Sequence, residues 1–223
     1  MPRPKARGGQ SALKNTPTTG WQLEERLWRL GCVRVAGVDE AGRGALAGPV
    51  VAAVVLLDSG TPAALHSYPY RDSKVLSAAA RGKLAEQIRR DAAGFAVGRA
   101  ECTEIDELNV LAATKLAVRR ALENLPGGFD ALVTDYLPMG LQVPEVVEAR
   151  ADALSYQVAA ASILAKVERD ALMLRLEDEL PGYGFARHKG YGVPEHLRAL
   201  AELGPSRQHR LTFAPVLRQP LLM

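Results

Sequence analysis

Residues 33–57 read VRVAGVDEAGRGALAGPVVAAVVLL. Two valine-dense runs, around Val33 to Val38 and Pro49 to Leu57, flank an acidic pair and a glycine-rich link. β-Branched side chains fit a pleated surface, and apolar runs without polar alternation belong to strands covered on both faces. The stretch therefore reads as two buried strands joined as in a hairpin, which requires helices on both sides of a sheet.

The flanking sequence supplies those helices. Ser77 is placed to cap a helix running to about Ala93, followed by a strand near Phe95 to Glu101. Thr103 and Asp106 resemble a capping box that opens one long helix with Ile105, Leu108, Leu111, Ala112, Leu116 and Leu122 on its core face. Ala131 to Val133 reads as a strand, Val143 to Ala149 as a further extended piece, and Ser155 to Leu180 and Pro194 to Leu203 as helices. Upstream, Trp21, Leu23, Leu27, Trp28 and Leu30 approximate one face of a short helix. The expected class is α/β, a mixed sheet flanked by helices with a helical C-terminal region.

The 223 residues suffice for one domain with a sizeable core, expected over 21–223. Residues 1–20 contain Arg3, Lys5, Arg7 and Lys14, no acid and little apolar surface, and are expected to be a disordered basic tail. Net charge is only +3, so affinity for phosphates must come from charge distribution: Arg187 to Arg218 carries six Lys and Arg against Glu195 and Glu202. Cys32 and Cys102 are too few for a disulfide framework, and no stretch matches a signal peptide or membrane span. A soluble, cytoplasmic monomer is expected.

Asp39 and Glu40 are followed by Gly42, Gly44 and Gly48, a spacing that also suits a dinucleotide-binding turn. Pro49 and a strand follow Gly48, so no helix N-terminus stands ready for a pyrophosphate, and two acids would repel it. The alternative is a set of hard oxygen ligands for a divalent cation. Adjacent strand residues face opposite ways, so both acids reach one site only if the chain turns at Glu40. Asp135 follows the buried run ALVT, and Asp152 precedes the long alanine-rich helix. If the four converge, each pair at about 6 Å repels by about 3 kcal/mol at an effective dielectric near 20, a cluster that needs cations. Two metals about 4 Å apart would suit phosphodiester hydrolysis.

The strings DEAGRG, RDSKVLS, EIDELNVLAAT, AAASILAKVERD, HKGYG and HRLTF occur here in order, and the stretch from Val35 to Val216 resembles ribonuclease HII, the bacterial type 2 ribonuclease H. The arginine of Gly42-Arg43-Gly44 favours this type over type 3. The resemblance implies a ribonuclease H-like fold and a two-metal endoribonuclease that cuts RNA/DNA hybrids, and ribonucleotide-containing duplex DNA on the 5′ side of the ribonucleotide. It implies that Asp39, Glu40, Asp135 and Asp152 hold Mg²⁺ or Mn²⁺, that the Gly42 to Gly44 backbone meets the 2′-hydroxyl, and that Tyr191 stacks on the next deoxyribose. Lys74 suits either a phosphate or its own loop. Two features depart from the family: Tyr136 stands where glycine commonly follows the third acid, and Val193 replaces the threonine after HKGYG. Lys166 and Asp170 suit a structural ion pair; His188 and His209 suit backbone or phosphate, while His66 and His196 carry no signal. The competing readings are another metal-dependent nuclease of this fold and a non-catalytic hybrid-binding module.

Overall fold

The computed structural model describes residues 19–57, 68–70 and 73–218. The expected basic tail lies almost wholly outside the described residues, as does His66. Among the described residues, no helix is long and apolar enough to cross a membrane.

A five-stranded mixed sheet runs in the order β3-β2-β1-β4-β5, with β1 Val35–Ala41, β2 Val50–Leu56, β3 Gly94–Ala100, β4 Ala131–Asp135 and β5 Glu145–Glu148. β1 pairs antiparallel with β2 and parallel with β4, as the hairpin reading and a later crossover require. Every residue of β2 is buried. Ala52, Val54 and Leu56 pack on one side with Ala113, Ala117 and Val118, while Ala53 and Val55 pack on the other with Ala160, Ile163 and Leu164. The period of two thus delivers alternate residues to two separate cores.

The helices are α1 Glu24–Trp28, α2 Ala78–Asp91, α3 Cys102–Leu108, α4 Val110–Glu123, α5 Tyr156–Glu179, α6 Phe185–His188, α7 Pro194–Leu203 and α8 Ala214–Leu217. Ser77 caps α2 by accepting from Ala80 N at 3.2 Å. α5 crosses β1 and β2 on one face, and α4 covers β2 and β3 on the other. α5 approaches the sheet tightly at Gly37 in central β1, where an added Cβ would lie 2.4 Å from the Gln157 carbonyl carbon. Gly37→Ala must push α5 off the sheet, and we expect a loss of about 3 kcal/mol, the upper end of ordinary overpacking. Urea unfolding checks this; an unchanged midpoint refutes the close-packing argument.

Several expectations are corrected. The single helix from Thr103 is two helices, broken at Asn109, whose φ of +72° interrupts the spiral while its side chain accepts from Leu111 N and Ala112 N to start α4. Asparagine tolerates this region because its short polar side chain bonds locally. The capping box belongs to Glu101 and Glu104, not Thr103 and Asp106. The break also rotates the core face: Leu108 and Leu111 are exposed, and Ala113, Ala117, Val118, Ala121 and Leu122 are buried. Leu30 at the end of the first helix is likewise exposed.

Candidate active site

The parallel register of β1 and β4 pairs Val38 with Thr134, so the next residue on each strand, Asp39 and Asp135, end side by side. The β1 ladder continues through Glu40 and Ala41, and the chain turns at Gly42, with φ +92°, rather than at Glu40 as expected. Asp39 folds back, its Oδ1 accepting from Glu40 N at 2.8 Å. Both acids, together with Asp135, line one cavity of about 420 Å³ at the strand ends. Gly42, Arg43, Gly44, Lys74 and Tyr191 line it too, so these eight expected residues converge.

Asp152 is placed differently. It is buried in a 3₁₀ turn, Ala151–Ala153, and does not line the cavity. The turn is nevertheless tied to the site, because Ala151 N donates to Asp135 Oδ1 at 3.1 Å. Among the described residues, no group of three or more His, Cys, Asp or Glu side chains is arranged to hold a metal ion.

The electrostatics are those of crowded acids. Burial, then the charges of Glu40 and Asp135, push the Asp39 carboxyl well above the ordinary range, against a hydrogen bond with Ser162 that lowers it. Glu40 is raised chiefly by burial and also by Asp135, while Arg43, paired with it at 3.3 Å, and Lys74 oppose the shift. Three carboxylates, Asp39, Glu40 and Asp135, thus share one cavity with Arg43, Lys74 and Lys166, and hard oxygen donors of this kind suit divalent cations.

Several lining residues were not singled out as site residues in the sequence. Ser73 and Ser162 face each other across 2.9 Å, and Lys166 reaches the cavity while making the expected ion pair with Asp170 at 2.7 Å. Ser162 and Lys166 lie four apart on α5, so helical spacing from the acidic site was the available signal. The departures have local explanations. Tyr136 sits at φ +51°, the left-handed region where glycine is favoured, and its ring is exposed. Val193 is the N-cap of α7 and supplies no side-chain acceptor.

His188, His196 and His209 are structural. Ser206 N donates to His209 Nδ1 at 2.9 Å, so neutral His209 carries its proton on Nε2 and donates to His196 Nε2 at 3.1 Å. His196 then carries its proton on Nδ1 and donates to Tyr191 O at 3.0 Å. His188 meets Tyr183 O and Gly190 N, the backbone role expected of it. Burial and then His196 push His209 from 6.5 down to about 4. Between those values the unfolded chain binds a proton that the native chain refuses. The stabilising contribution is therefore full above about pH 6.5 and falls as pH drops towards 4, by on the order of 3 kcal/mol. In a histidine NMR titration we expect the His209 ring to stay neutral at about pH 5.5; a midpoint near 6.5 contradicts this proton arrangement.

Comparison with known proteins agrees with this geometry. A family model described as Ribonuclease HII matches residues 36–216. The chain is 56% identical over 199 residues to a ribonuclease HII of Thermus thermophilus, covering 89% of this chain and 95% of that protein. Among solved structures, ribonuclease H2 from Pyrococcus horikoshii superposes with a TM-score of 0.72 at 27% identity, covering 83% of this chain and 96% of that one. The ribonuclease HII of Archaeoglobus fulgidus, solved in complex with PCNA, gives 0.67 at 29% identity, covering 84% and 98%. The sheet, the carboxylate rim and these matches together make the chain a member of the ribonuclease HII family and an endoribonuclease acting on RNA/DNA hybrids.

Proposed function

We propose that the enzyme hydrolyses the phosphodiester on the 5′ side of a ribonucleotide, in hybrids and in duplex DNA, leaving 3′-hydroxyl and 5′-phosphate ends. Asp39, Glu40, Asp135 and Asp152 hold two divalent cations, Mg²⁺ or Mn²⁺. The observation that carries this reading is the convergence of Asp39, Glu40 and Asp135 on one cavity whose wall includes Gly42, Arg43 and Gly44. The donor chemistry fits such cations: the donors are carboxylates, and burial and the neighbouring acids oppose the charge of Asp39, which a cation would offset. Asp152 is included on the family resemblance: its turn adjoins the site through the Ala151 N contact with Asp135 Oδ1, and its side chain does not line the cavity.

When bound, two cations activate a water and stabilise the leaving oxygen. The protein's own contribution is positioning. Glycine backbone lets a sugar approach closely, and a 2′-hydroxyl is what separates RNA from DNA at that point. The half-exposed Tyr191 ring supplies a flat surface for the neighbouring deoxyribose. Arg43 and Lys74 bring positive charge to the rim for the phosphates.

The test is a DNA duplex containing one ribonucleotide, incubated with Mg²⁺ or Mn²⁺. A nick 5′ of the ribonucleotide with a 3′-hydroxyl is expected, and none in all-DNA duplex. Equal cutting of both would favour a general nuclease of this fold, and binding without product would favour a hybrid-binding module.

A further inference from the structure

Among the described residues, Arg169 and Arg210 are the largest fully buried side chains, and neither forms an ion pair. Burying a cation without a carboxylate is costly unless its donors are satisfied. Here they are satisfied by backbone carbonyls, five from the link between β1 and β2 and one from Lys189. Arg210 donates to Gly42 O at 2.7 Å, Arg43 O at 2.8 Å and Gly48 O at 2.8 Å. Arg169 donates to Ala47 O at 3.0 Å, Pro49 O at 3.0 Å and Lys189 O at 2.9 Å. Burial pulls the Arg210 pKa down, but only to about 10, so it stays charged at neutral pH.

The consequence for the link is geometric. A trans peptide is planar, with its C=O and the following N–H on opposite sides. Drawing the Gly42 and Arg43 carbonyls onto Arg210 therefore turns the N–H groups of Arg43 and Gly44 to the other side of the link, and both residues line the cavity. Arg169 connects this link to the second recognition element. Its guanidinium lies 5.4 Å from the Tyr191 ring centroid, it holds the carbonyl of Lys189, and it presses against Gly42, where an added Cβ would lie 1.9 Å from its Nε.

We propose that Arg169 is a positioning residue for ribonucleotide selection: it fixes the separation between the Gly42 to Gly44 backbone and the Tyr191 ring, with Arg210 setting the orientation of that backbone. The proposal rests on the reading of those two elements given above. Lysine keeps the charge but cannot hold three carbonyls in a planar fork and stack on a ring at once.

The experiment compares single-turnover cleavage of a duplex with one ribonucleotide and of a hybrid with a continuous RNA strand. Arg169→Lys is expected to lower the ratio of the two rates at least tenfold, with the Mg²⁺ dependence unchanged. In the Arg169→Lys background, Tyr191→Ala should lower the ratio little further, since the two act as one unit. Equal losses on both substrates, or multiplicative losses in the double variant, overturn the proposal and mark Arg169 as merely structural. A second measurement uses the wild-type protein. The Arg169 Nε–H resonance should be protected from exchange and should shift on binding a ribonucleotide-containing duplex, with Ca²⁺ in place of Mg²⁺, but not on binding all-DNA duplex. An identical response to the two duplexes overturns the proposal. If wild-type protein itself fails to prefer the ribonucleotide, the functional reading fails instead, and the two failures are distinct.

Discussion

Asp39→Asn is expected to lower turnover on an RNA/DNA hybrid by about a thousandfold or more while raising the thermal midpoint of the metal-free protein. The same carboxylate produces both effects. On the proposed mechanism it is a metal ligand on the strand next to Asp135, and its amide replacement cannot supply the anionic oxygen that stabilises charge at the reacting phosphate. A thousandfold corresponds to about 4 kcal/mol of barrier, reasonable for loss of a direct ligand. Without cations, the side chain is buried beside Glu40 and Asp135, and burial and repulsion both oppose its charge. Asparagine has a similar shape and no charge, so that opposition vanishes. Hybrid affinity should persist, because Arg43 and Lys74 remain at the rim. Steady-state kinetics, thermal melting in EDTA and a binding isotherm check the three parts. Turnover near wild type would remove Asp39 from the metal site, and a lower midpoint in EDTA would contradict the electrostatic account.

Gly42→Ala should reduce turnover on a single-ribonucleotide duplex by about a hundredfold, the scale expected when a reacting group is displaced by about 1 Å. Two physical reasons add. Gly42 has φ +92°, which a side chain rarely adopts, and a Cβ there meets Arg169 Nε at 1.9 Å. The link must move, carrying the backbone that on the proposed reading meets the 2′-hydroxyl. Because Asp39 and Glu40 lie in the β1 ladder before the turn, cation binding should survive. Calorimetric titration with Mn²⁺ alongside the cleavage assay separates the two. Wild-type rates in this variant would show that the conformation of the link is not needed for selection.

The α/β class, the first hairpin and the sequential positions of most elements were legible from periodicity, because β2 is buried on both faces and α5 carries a long helical pattern. Asp39, Glu40 and Asp135 were legible from strand ends, since β4 must lie along β1 for Asp135 to matter, and it does. The split at Asn109 was not legible. Local sequence continued the helix, and only the capping bonds of an asparagine with positive φ ended it. The extension of β1 through Glu40 was similarly hidden, since a carboxylate inside a ladder looks, in sequence, like the end of one.

By itself, the sequence determined the two buried strands of the first hairpin, the acids near the strand ends and the family to which the ordered motifs belong. These are properties of nearest neighbours and of residue order. Only the tertiary structure decided that Arg169 and Arg210, each far along the chain from Gly42, turn inward onto its link. It alone decided that Asp152 stays outside the cavity, behind the Ala151 contact to Asp135. In the sequence an arginine reads as a surface cation, because burial without a carboxylate is costly. What makes it tolerable is a set of carbonyls from distant segments, and that set exists only once the chain has folded.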